Sequence, residues 1–356
     1  MSQTQSQSST IGVSMAGVGA FAPKRVVTNE EISTLVETSD EWIVSRTGIK
    51  TRHMVSGDET VASLAIGAAK EALASAGMSG EEIDLIIVAS STSETVYPAV
   101  SCQVQLAIGA KKAAGFDMAL ACSGFVYSVV IASQFLKTGM YKNALVIGAD
   151  VHTRVVDWSD RNTCILFGDG AGAAILSAHP GEPDQFLSAN LHLDGSKGPE
   201  LTLYQTLKNC PLVEEKPEVN PYLYMNGKEM FKFAVGIVPS SIRESLEQAG
   251  LRIEDIDYLV LHQANIRIMQ AMTEKLGIPK EKLIANLDKY GNTSAASIPL
   301  ALNEAVLDGR IQPGQVILLC GFGAGAAWGS TILRWTCVDQ RLKSSQNAQQ
   351  TLVSSP

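Results

Sequence analysis

A single thiol, Cys122, stands where the sequence passes from a short apolar run to a long amphipathic segment. The run Ala119-Leu-Ala closes at this cysteine, and Ser123-Gly-Phe opens a stretch of helical length. The first N–H groups of a helix carry partial positive charge, which favours a thiolate and offers hydrogen bonds to an oxyanion. The position therefore predicts a nucleophile for acyl transfer, although a lone cysteine is more commonly a small buried side chain.

Two segments further along supply polar groups suited to the same chemistry. His262 follows the apolar run Tyr258-Leu-Val-Leu, and Asn292 lies in a polar turn that precedes Pro299. Taken singly, His262 could be a hydrogen-bonded histidine at a strand end, and Asn292 could serve a turn or a helix cap. Together with Cys122 they predict a Cys/His/Asn site, a combination that papain-like hydrolases also use.

The elements that must position these residues form two copies of one pattern. Residues 71–88 and 244–261 each predict an amphipathic helix that ends at Ala-Gly, then an acidic turn and an apolar strand. Gly168-Asp-Gly-Ala-Gly-Ala and Gly321-Phe-Gly-Ala-Gly-Ala are a second related pair. Strands that alternate with helices indicate an α/β fold of two duplicated halves, with largely parallel strand pairing.

We expect the following organisation along the chain. A flexible N-terminus over 1–11 precedes an N-terminal half over 12–180 and a C-terminal half over 181–338, and a disordered tail over 339–356 follows. Residues 182–220, with their prolines and weak periodicity, predict a connection between the halves. The glycine-rich loop at Gly168 precedes another apolar strand and not a helix, so close backbone packing explains it better than dinucleotide binding.

Composition excludes several classes of function. The 356 residues carry a net charge of −8 with no long basic run, which argues against a nucleic-acid partner. No apolar stretch reaches membrane-spanning length and no secretion signal opens the chain, so we expect a cytoplasmic protein that does not bind membranes. The cysteines show neither paired spacing nor neighbouring histidines, which predicts no metal site and makes Cys102, Cys164 and Cys320 packing residues.

These motifs carry a resemblance to a known family. From about residue 12 to 335 the chain resembles the β-ketoacyl-acyl-carrier-protein synthase III family of the thiolase superfamily. The resemblance implies a thiolase-like fold with layers in the order α-β-α-β-α, the nucleophile in the first half, and the His and Asn in the second. The matching segments are Ala121-Cys-Ser-Gly-Phe125, Phe167-Gly-Asp-Gly-Ala-Gly-Ala173, His262-Gln-Ala-Asn-Ile-Arg267, Gly291-Asn-Thr-Ser-Ala-Ala-Ser297 and Gly321-Phe-Gly-Ala-Gly325.

The resemblance also implies a two-step reaction that initiates fatty acid synthesis. Cys122 would take an acetyl or other short acyl group from acyl-CoA, with the backbone N–H groups of Cys122 and Ala324 as the oxyanion hole. Malonyl-acyl-carrier protein would then lose carbon dioxide, and the enolate, stabilised by His262 and Asn292, would attack the acyl-enzyme. Apart from these CoA and carrier-protein substrates, no cofactor is implied.

Binding residues are implied in the same way. Trp42 would stack on the adenine of CoA with Arg161 on the opposite face, and Tyr97 would reach the acyl pocket of the partner subunit in a homodimer. The bulk of Tyr97 favours short acyl groups. The other CoA contacts would be Arg46, Thr47, Asn226, Gly227, Phe231 and Ala264, and the carrier protein would contact Lys232, Gln263, Ala264, Asn265, Ile266 and Arg267.

Several alternatives stay open at this point. Plant-type (type III) polyketide synthases share the Cys/His/Asn combination, but the segment Asp40-Glu-Trp-Ile disfavours them. Hydroxymethylglutaryl-CoA synthases use a glutamate in the role of Asn292, and the asparagine here disfavours them. Another CoA-dependent acyltransferase, or a non-enzymatic protein that binds acyl-CoA, is a further alternative, and a binding protein would not be acylated on Cys122.

Overall fold

The computed structural model describes residues 10–205, 211–212 and 219–343. These residues form fourteen strands and nine α-helices, joined by short 3₁₀ turns. The strands are β1 (Ile11–Phe21), β2 (Arg25–Thr28), β3 (Thr51–Met54), β4 (Leu85–Ala89), β5 (Ala114–Met118), β6 (Asn143–Val151), β7 (Asp169–Pro180), β8 (Phe186–Leu193), β9 (Leu201–Thr202), β10 (Tyr224–Met225), β11 (Tyr258–Leu261), β12 (Leu283–Ile284), β13 (Val316–Gly323) and β14 (Ala327–Arg334). The helices are α1 (Asn29–Ile32), α2 (Asp40–Thr47), α3 (Val61–Ala76), α4 (Val100–Ile108), α5 (Gly124–Lys137), α6 (Gly227–Ala249), α7 (Ile266–Leu276), α8 (Leu287–Tyr290) and α9 (Ser297–Leu307).

Two five-stranded sheets have the same layout. The first has the order β1-β7-β6-β4-β5, and the second has the order β8-β14-β13-β11-β12. In each sheet the first two pairings are antiparallel and the last two are parallel. The duplication predicted from the sequence is confirmed, whereas the expectation of largely parallel pairing is wrong. The tight connection from β13 to β14 permits only antiparallel pairing, because parallel neighbours need a long crossover.

Strand β8 is a second difference from the sequence-based prediction. It lies within residues 182–220, which were expected to be a connection between the halves, yet it pairs along β14 over seven residues from Phe186 to Leu193. It occupies the same edge of the second sheet that β1 occupies in the first. The second half of the duplication therefore begins with β8, inside the segment that its prolines had predicted to be a connection.

The helices and sheets stack in five layers. Helices α5 and α9 lie between the two sheets and share one apolar core with both of them. Helices α3 and α4 cover the outer face of the first sheet, and α6 and α7 cover the outer face of the second. Because the central helices contact a sheet on each side, α5 is apolar around most of its circumference. The predicted α-β-α-β-α order is confirmed.

The two repeated helices end as the sequence predicts. Helix α3 stops at Gly77 with φ +66° and α6 stops at Gly250 with φ +65°. A left-handed residue after the last turn satisfies the final carbonyl groups, and glycine adopts this conformation without a steric penalty. Within the described residues, no helix combines the length and the apolar character that crossing a membrane requires.

The end of the described chain packs across both halves. Asp339 is buried and accepts hydrogen bonds from Ser75 of α3 and from the guanidinium of Arg341. Arg341 also donates to the side chain of Asn303 in α9. The expected disordered tail therefore does not begin at Asp339, because this acidic side chain and its arginine are satisfied inside the fold. The rest of that prediction, like the expected flexibility of residues 1–9, lies outside the described residues.

Candidate active site

A cavity of about 1590 Å³ brings together residues from both halves of the chain. Cys122, His262 and Asn292 all line it, so the structure places the three predicted catalytic residues around one space. Residues expected to contact CoA extend along the same cavity. They are Trp42, Arg46, Thr47, Asn226, Gly227, Phe231 and Ala264, and Ala324 also lies in the wall.

Cys122 lies in a single 3₁₀ turn, Ala121–Ser123, between β5 and α5. The predicted corner between a strand and a helix is therefore present. Ala121 adopts φ +43°, a left-handed conformation that costs an alanine about 1–3 kcal/mol and occurs mainly where function requires it. The thiol is enclosed, and Cys122 is only 7% exposed.

The protonation of Cys122 differs from the expectation. Burial raises the pKa of the thiol to about 12, and the negative charge of Asp150 acts in the same direction. The hydroxyl of Ser294, 3.3 Å from Sγ, lowers the pKa but does not compensate. The predicted thiolate is thus wrong for the free protein at neutral pH, because the loss of solvation is the largest effect on the pKa of this thiol.

The amide of Asn292 is oriented by the turn that follows it. Its Oδ1 accepts a hydrogen bond of 2.9 Å from the backbone N–H of Ser294, which itself has φ +52°. Because the amide oxygen is engaged with the backbone, the NH₂ end is the one available for a ligand. Ser294 therefore contacts both the nucleophile and the asparagine, and it joins the two within one turn.

His262 follows β11 and is 2% exposed. Burial, with a smaller electrostatic effect from the neighbouring His152, lowers the pKa of His262 to about 3, so the ring of His262 is neutral at physiological pH. Its Nδ1 lies 2.7 Å from Oγ of Ser297, and that hydroxyl also accepts the N–H of Gln263. A hydroxyl that accepts from the backbone can give its own proton to Nδ1, which leaves the ring proton on Nε2.

The end of β13 packs directly against the nucleophile. A Cβ atom added to Gly323 would lie 2.9 Å from Cβ of Cys122 and 3.3 Å from its Sγ. Only glycine permits this approach, so close packing accounts for the glycine at this position. The next residue, Ala324, lines the cavity beside the thiol.

Two guanidinium groups flank the indole of Trp42. The Cζ atom of Arg46 is 4.7 Å from the ring centroid, and that of Arg161 is 5.2 Å away. Arg161 is held there by a hydrogen bond to the carbonyl of Glu37. Both distances fall within the range of cation–π attraction. The predicted grouping of Trp42 with Arg161 is therefore present in the geometry.

Two of the expected CoA contacts have structural partners of their own. Thr47 is buried, and its hydroxyl donates to the carbonyl of Ile43 at the end of α2. Asn226 caps α6, and its Nδ2 donates to the carboxylate of Glu200. By contrast Phe231, on the first turns of α6, is exposed at the cavity.

The residues expected to meet a carrier protein fall into two groups. Arg267 is exposed on the first turn of α7, and Lys232 is exposed but paired with Glu229 at 2.7 Å. Gln263 is 1% exposed, and its amide donates to the carbonyl groups of Leu261 and Ile284. The assignment of Gln263 is therefore wrong, because this side chain satisfies the buried turn after β11 and cannot reach a partner. Of the others, Asn265 caps α7, and Ala264 and Ile266 are partly exposed beside it.

Three further cysteines were expected to be packing residues. Cys164 and Cys320 are buried as predicted, but Cys102 is exposed on α4, so its assignment as a packing residue is wrong. Helix α4 has an outward face at this position. Within the described residues, no group of histidine, cysteine and acidic side chains has the geometry to hold a metal ion.

Sequence reasoning missed four polar residues of the site. Ser294 and Ser297 stand inside a motif that was recognised, but their bonds to Cys122 and His262 could not be inferred from spacing. Asp150 is buried at the end of β6 and accepts hydrogen bonds from the 91–92 loop and from the N–H of Ala295. It therefore ties the two halves together behind Cys122. The fourth, His152, lines the cavity.

Comparison with known proteins identifies the family. The family model for 3-oxoacyl-acyl-carrier-protein (ACP) synthase III matches residues 116–195, and the model for its C-terminal part matches residues 246–335. The chain is 47% identical over 325 residues to β-ketoacyl-acyl-carrier-protein synthase III 1 of Bacillus cereus, covering 91% of this chain and 99% of that protein. It is 50% identical over 329 residues to the synthase III of Thermosynechococcus vestitus, covering 91% and 98%.

A solved structure extends the comparison to the fold. The crystal structure of 3-oxoacyl-acyl-carrier-protein synthase III from Aquifex aeolicus superposes with a TM-score of 0.84 at 44% identity, covering 91% of this chain and all of that one. The thiolase-like fold predicted from the resemblance is confirmed. On these matches, the chain belongs to the β-ketoacyl-acyl-carrier-protein synthase III family, the condensing enzymes of the acyltransferase class that initiate fatty acid synthesis.

Proposed function

We propose that this condensing enzyme transfers an acetyl or other short acyl group from CoA to Cys122 and then condenses it with malonyl-acyl-carrier protein. One observation carries the proposal: Cys122, His262 and Asn292 share a single cavity with the Trp42 and Phe231 surfaces. The substrates need no further cofactor, and the reaction belongs in the cytoplasm. Neither a nucleic acid nor a membrane takes part.

In the first half-reaction, Sγ of Cys122 attacks the thioester carbonyl of acyl-CoA. The new S–C bond replaces the C–S bond to CoA, and the thiol proton ends on the released CoA thiol. The N–H groups of Cys122 and Ala324 would stabilise the tetrahedral oxyanion. The close approach of Gly323 to Cys122 and the presence of Ala324 in the same cavity lining support this role.

In the second half-reaction, malonyl-acyl-carrier protein loses carbon dioxide, and negative charge develops on its thioester oxygen as the enolate forms. The enolate carbon attacks the acyl-Cys122 carbonyl, and the new C–C bond replaces the C–S bond to Cys122. The β-ketoacyl-acyl-carrier protein is released, and the Cys122 sulfur takes up a proton from water. A neutral His262 with its proton on Nε2 and the NH₂ of Asn292 are two uncharged donors suited to the malonyl thioester oxygen. No general base is needed, because decarboxylation itself generates the carbanion.

CoA would enter with its adenine between Trp42 and Arg161. The two side chains already face each other at 5.2 Å, and a base can take the place of that contact by stacking on the indole. The pantetheine arm would then run to Cys122 past Asn226, Gly227, Phe231 and Ala264. Arg46 and Thr47 would contact CoA at its adenine end.

The proposal is tested by exposing the intact protein to a panel of acyl-CoAs and recording its mass. We expect a mass increase of one acyl group per chain with acetyl-CoA, mapped to Cys122 after digestion. A non-enzymatic acyl-CoA-binding protein would retain the ligand without any covalent mass change, and that result would exclude the proposed function.

The carrier protein would dock beside the cavity mouth, mainly on Arg267. This guanidinium is exposed, whereas the nearby ammonium of Lys232 is partly neutralised by Glu229. Because the whole protein is negatively charged, attraction to an acidic carrier has to be local. Asn265, Ala264 and Ile266 would form the rest of the contact.

Reversing this charge should weaken carrier-dependent turnover selectively. For Arg267→Glu we expect a raised KM for malonyl-acyl-carrier protein, and added salt should raise the KM of the unaltered enzyme in the same direction. Acylation by acetyl-CoA, which needs no carrier, should change little. Lys70→Glu, a charge reversal on the outer helix α3, is the matched control. Equal losses with CoA and carrier substrates would contradict docking at Arg267.

We further propose that the working unit is a homodimer formed along the β5 edge. Strand β5 ends the first sheet, and exposed apolar side chains adjoin it: Phe116 on the strand, Leu106 on α4, and Tyr97, which is 86% exposed. The loop that carries Tyr97 is fixed to α4 through Gln103, which donates to the carbonyl of Pro98. An unpaired edge beside an apolar patch favours pairing with a second copy, and Tyr97 would then reach the partner's acyl pocket.

Disrupting this surface should produce monomers. We expect Leu106→Asp to lower the dimer fraction in sedimentation velocity experiments, because a carboxylate would be buried in the apolar contact. Met140→Asp, at another exposed apolar site, should leave the dimer intact. A fully active monomer of the unaltered protein at assay concentration would exclude the dimer as the working unit.

A further inference from the structure

A histidine without a hydrogen-bond partner stands in the wall of the catalytic cavity. His152 follows β6 in the turn His152–Arg154 and is only 4% exposed. Its ring stacks on Phe167, with centroids 4.8 Å apart and planes inclined by 11°. Its Nδ1 is buried without a hydrogen-bond partner among the described residues. Leaving such a group unpaired costs about 1–3 kcal/mol, so a purely structural ring would be better replaced by an apolar one.

The position of His152 places it near the reacting groups. It lines the same cavity as Cys122 and His262. Two residues before it, Asp150 is close enough to raise the pKa of Cys122, and His152 itself is close enough to lower the pKa of His262. Ile165 and Phe167 are apolar residues in the lining of the same cavity.

We infer that His152 is a specificity residue that hydrogen-bonds a polar substituent on the acyl chain, so that the preferred primer is a short acyl-CoA bearing a hydroxyl group. This inference rests on the proposed function, because it concerns the acyl group that Cys122 accepts. Because Nδ1 is enclosed, the ring nitrogen that a ligand in the cavity can reach is Nε2. In a neutral imidazole Nε2 either donates or accepts, depending on the tautomer, and a hydroxyl group can pair with it in both cases. An alkyl chain leaves the imidazole unpaired.

The size of the effect follows from this difference in pairing. A cavity wall that hydrogen-bonds a substrate discriminates strongly against an analogue that leaves the wall's polar group unsatisfied. An apolar wall of equal volume prefers the alkyl chain, because a substrate hydroxyl placed against it loses its hydrogen bonds to water and gains none from the protein. The ratio of acylation rates between a hydroxylated chain and its alkyl counterpart therefore measures the role of His152.

The experiment compares butyryl-CoA with 2-, 3- and 4-hydroxybutyryl-CoA. The rate at which each acylates Cys122 is followed by intact-protein mass spectrometry in the unaltered enzyme, in His152→Leu and in His152→Gln. We expect at least one hydroxybutyryl isomer to lose about 10-fold or more relative to butyryl-CoA in His152→Leu. His152→Gln should keep most of the preference, because its amide still donates and accepts although it cannot stack as an aromatic ring.

Every other result of this experiment assigns a different role to His152 or contradicts the proposed function. Ratios that stay the same in His152→Leu would overturn the inference, and so would equal changes in the Leu and Gln variants, which would make stacking on Phe167 the role of the ring. A uniform fall with all four substrates would assign His152 to the pantetheine arm and likewise overturn it. If acetyl-CoA fails to acylate Cys122 in the unaltered enzyme, the proposed function itself is wrong.

Discussion

Replacement of Cys122 by alanine is expected to abolish acyl-enzyme formation from acetyl-CoA while some decarboxylation of malonyl-acyl-carrier protein remains. The sulfur forms the only covalent bond of the first half-reaction, so its removal leaves no acceptor for the acyl group. The donors of the second half-reaction belong to His262 and Asn292 and are retained. Intact-protein mass and release of labelled carbon dioxide measure the two half-reactions separately.

The matched control is Cys102→Ala. Cys102 is exposed and could react with acyl-CoA without catalysis, whereas Cys122 is enclosed and its pKa is raised to about 12. We expect the Cys102 variant to acylate at the same rate as the unaltered enzyme. Persistent acylation in Cys122→Ala, lost only when Cys102 is also removed, would show that the observed modification is surface chemistry.

The duplicated fold was predictable because each copy carries its own local signals. A helix that ends at Ala-Gly, an acidic turn and an apolar strand identify themselves within eighteen residues of sequence. Strand β8 carries no comparable signal, because it is the edge of its sheet and only two of its residues, Phe186 and Asn190, are buried. An edge strand with mixed polarity resembles a loop until its partner β14 is known.

The site was predictable only in part, for a related reason. Cys122, His262 and Asn292 each stand where an element ends, which local sequence shows. Their protonation and orientation depend on groups distant in the chain: Ser294 is 172 residues from Cys122, and Asp150 is 145 residues from Ala295. A helix N-terminus favours a thiolate, but burial by these distant segments raises the pKa of Cys122 and disfavours it.

Removal of either donor of the second half-reaction should slow decarboxylation by about 100- to 1000-fold, an effect of about 2.7–4 kcal/mol on the barrier if each resembles one oxyanion donor. His262→Ala and Asn292→Ala are the two variants, and both should still acquire an acyl group on Cys122 from acetyl-CoA. The contrast with Cys122→Ala follows from the geometry. His262 is held by Ser297 and Asn292 by the N–H of Ser294, so neither depends on the sulfur for its orientation.

His179→Ala is the control for this comparison, because His179 bonds to Ser14 at the far end of β7 and does not line the cavity. The double variant adds a sharper constraint. If His262 and Asn292 donate to the same thioester oxygen and act as a unit, removing both should cost much less than the product of the two single losses, because either deletion already misplaces the developing charge. If instead each variant loses acylation and decarboxylation equally, the two residues serve both half-reactions, and the division of labour between the sulfur and the two donors is wrong.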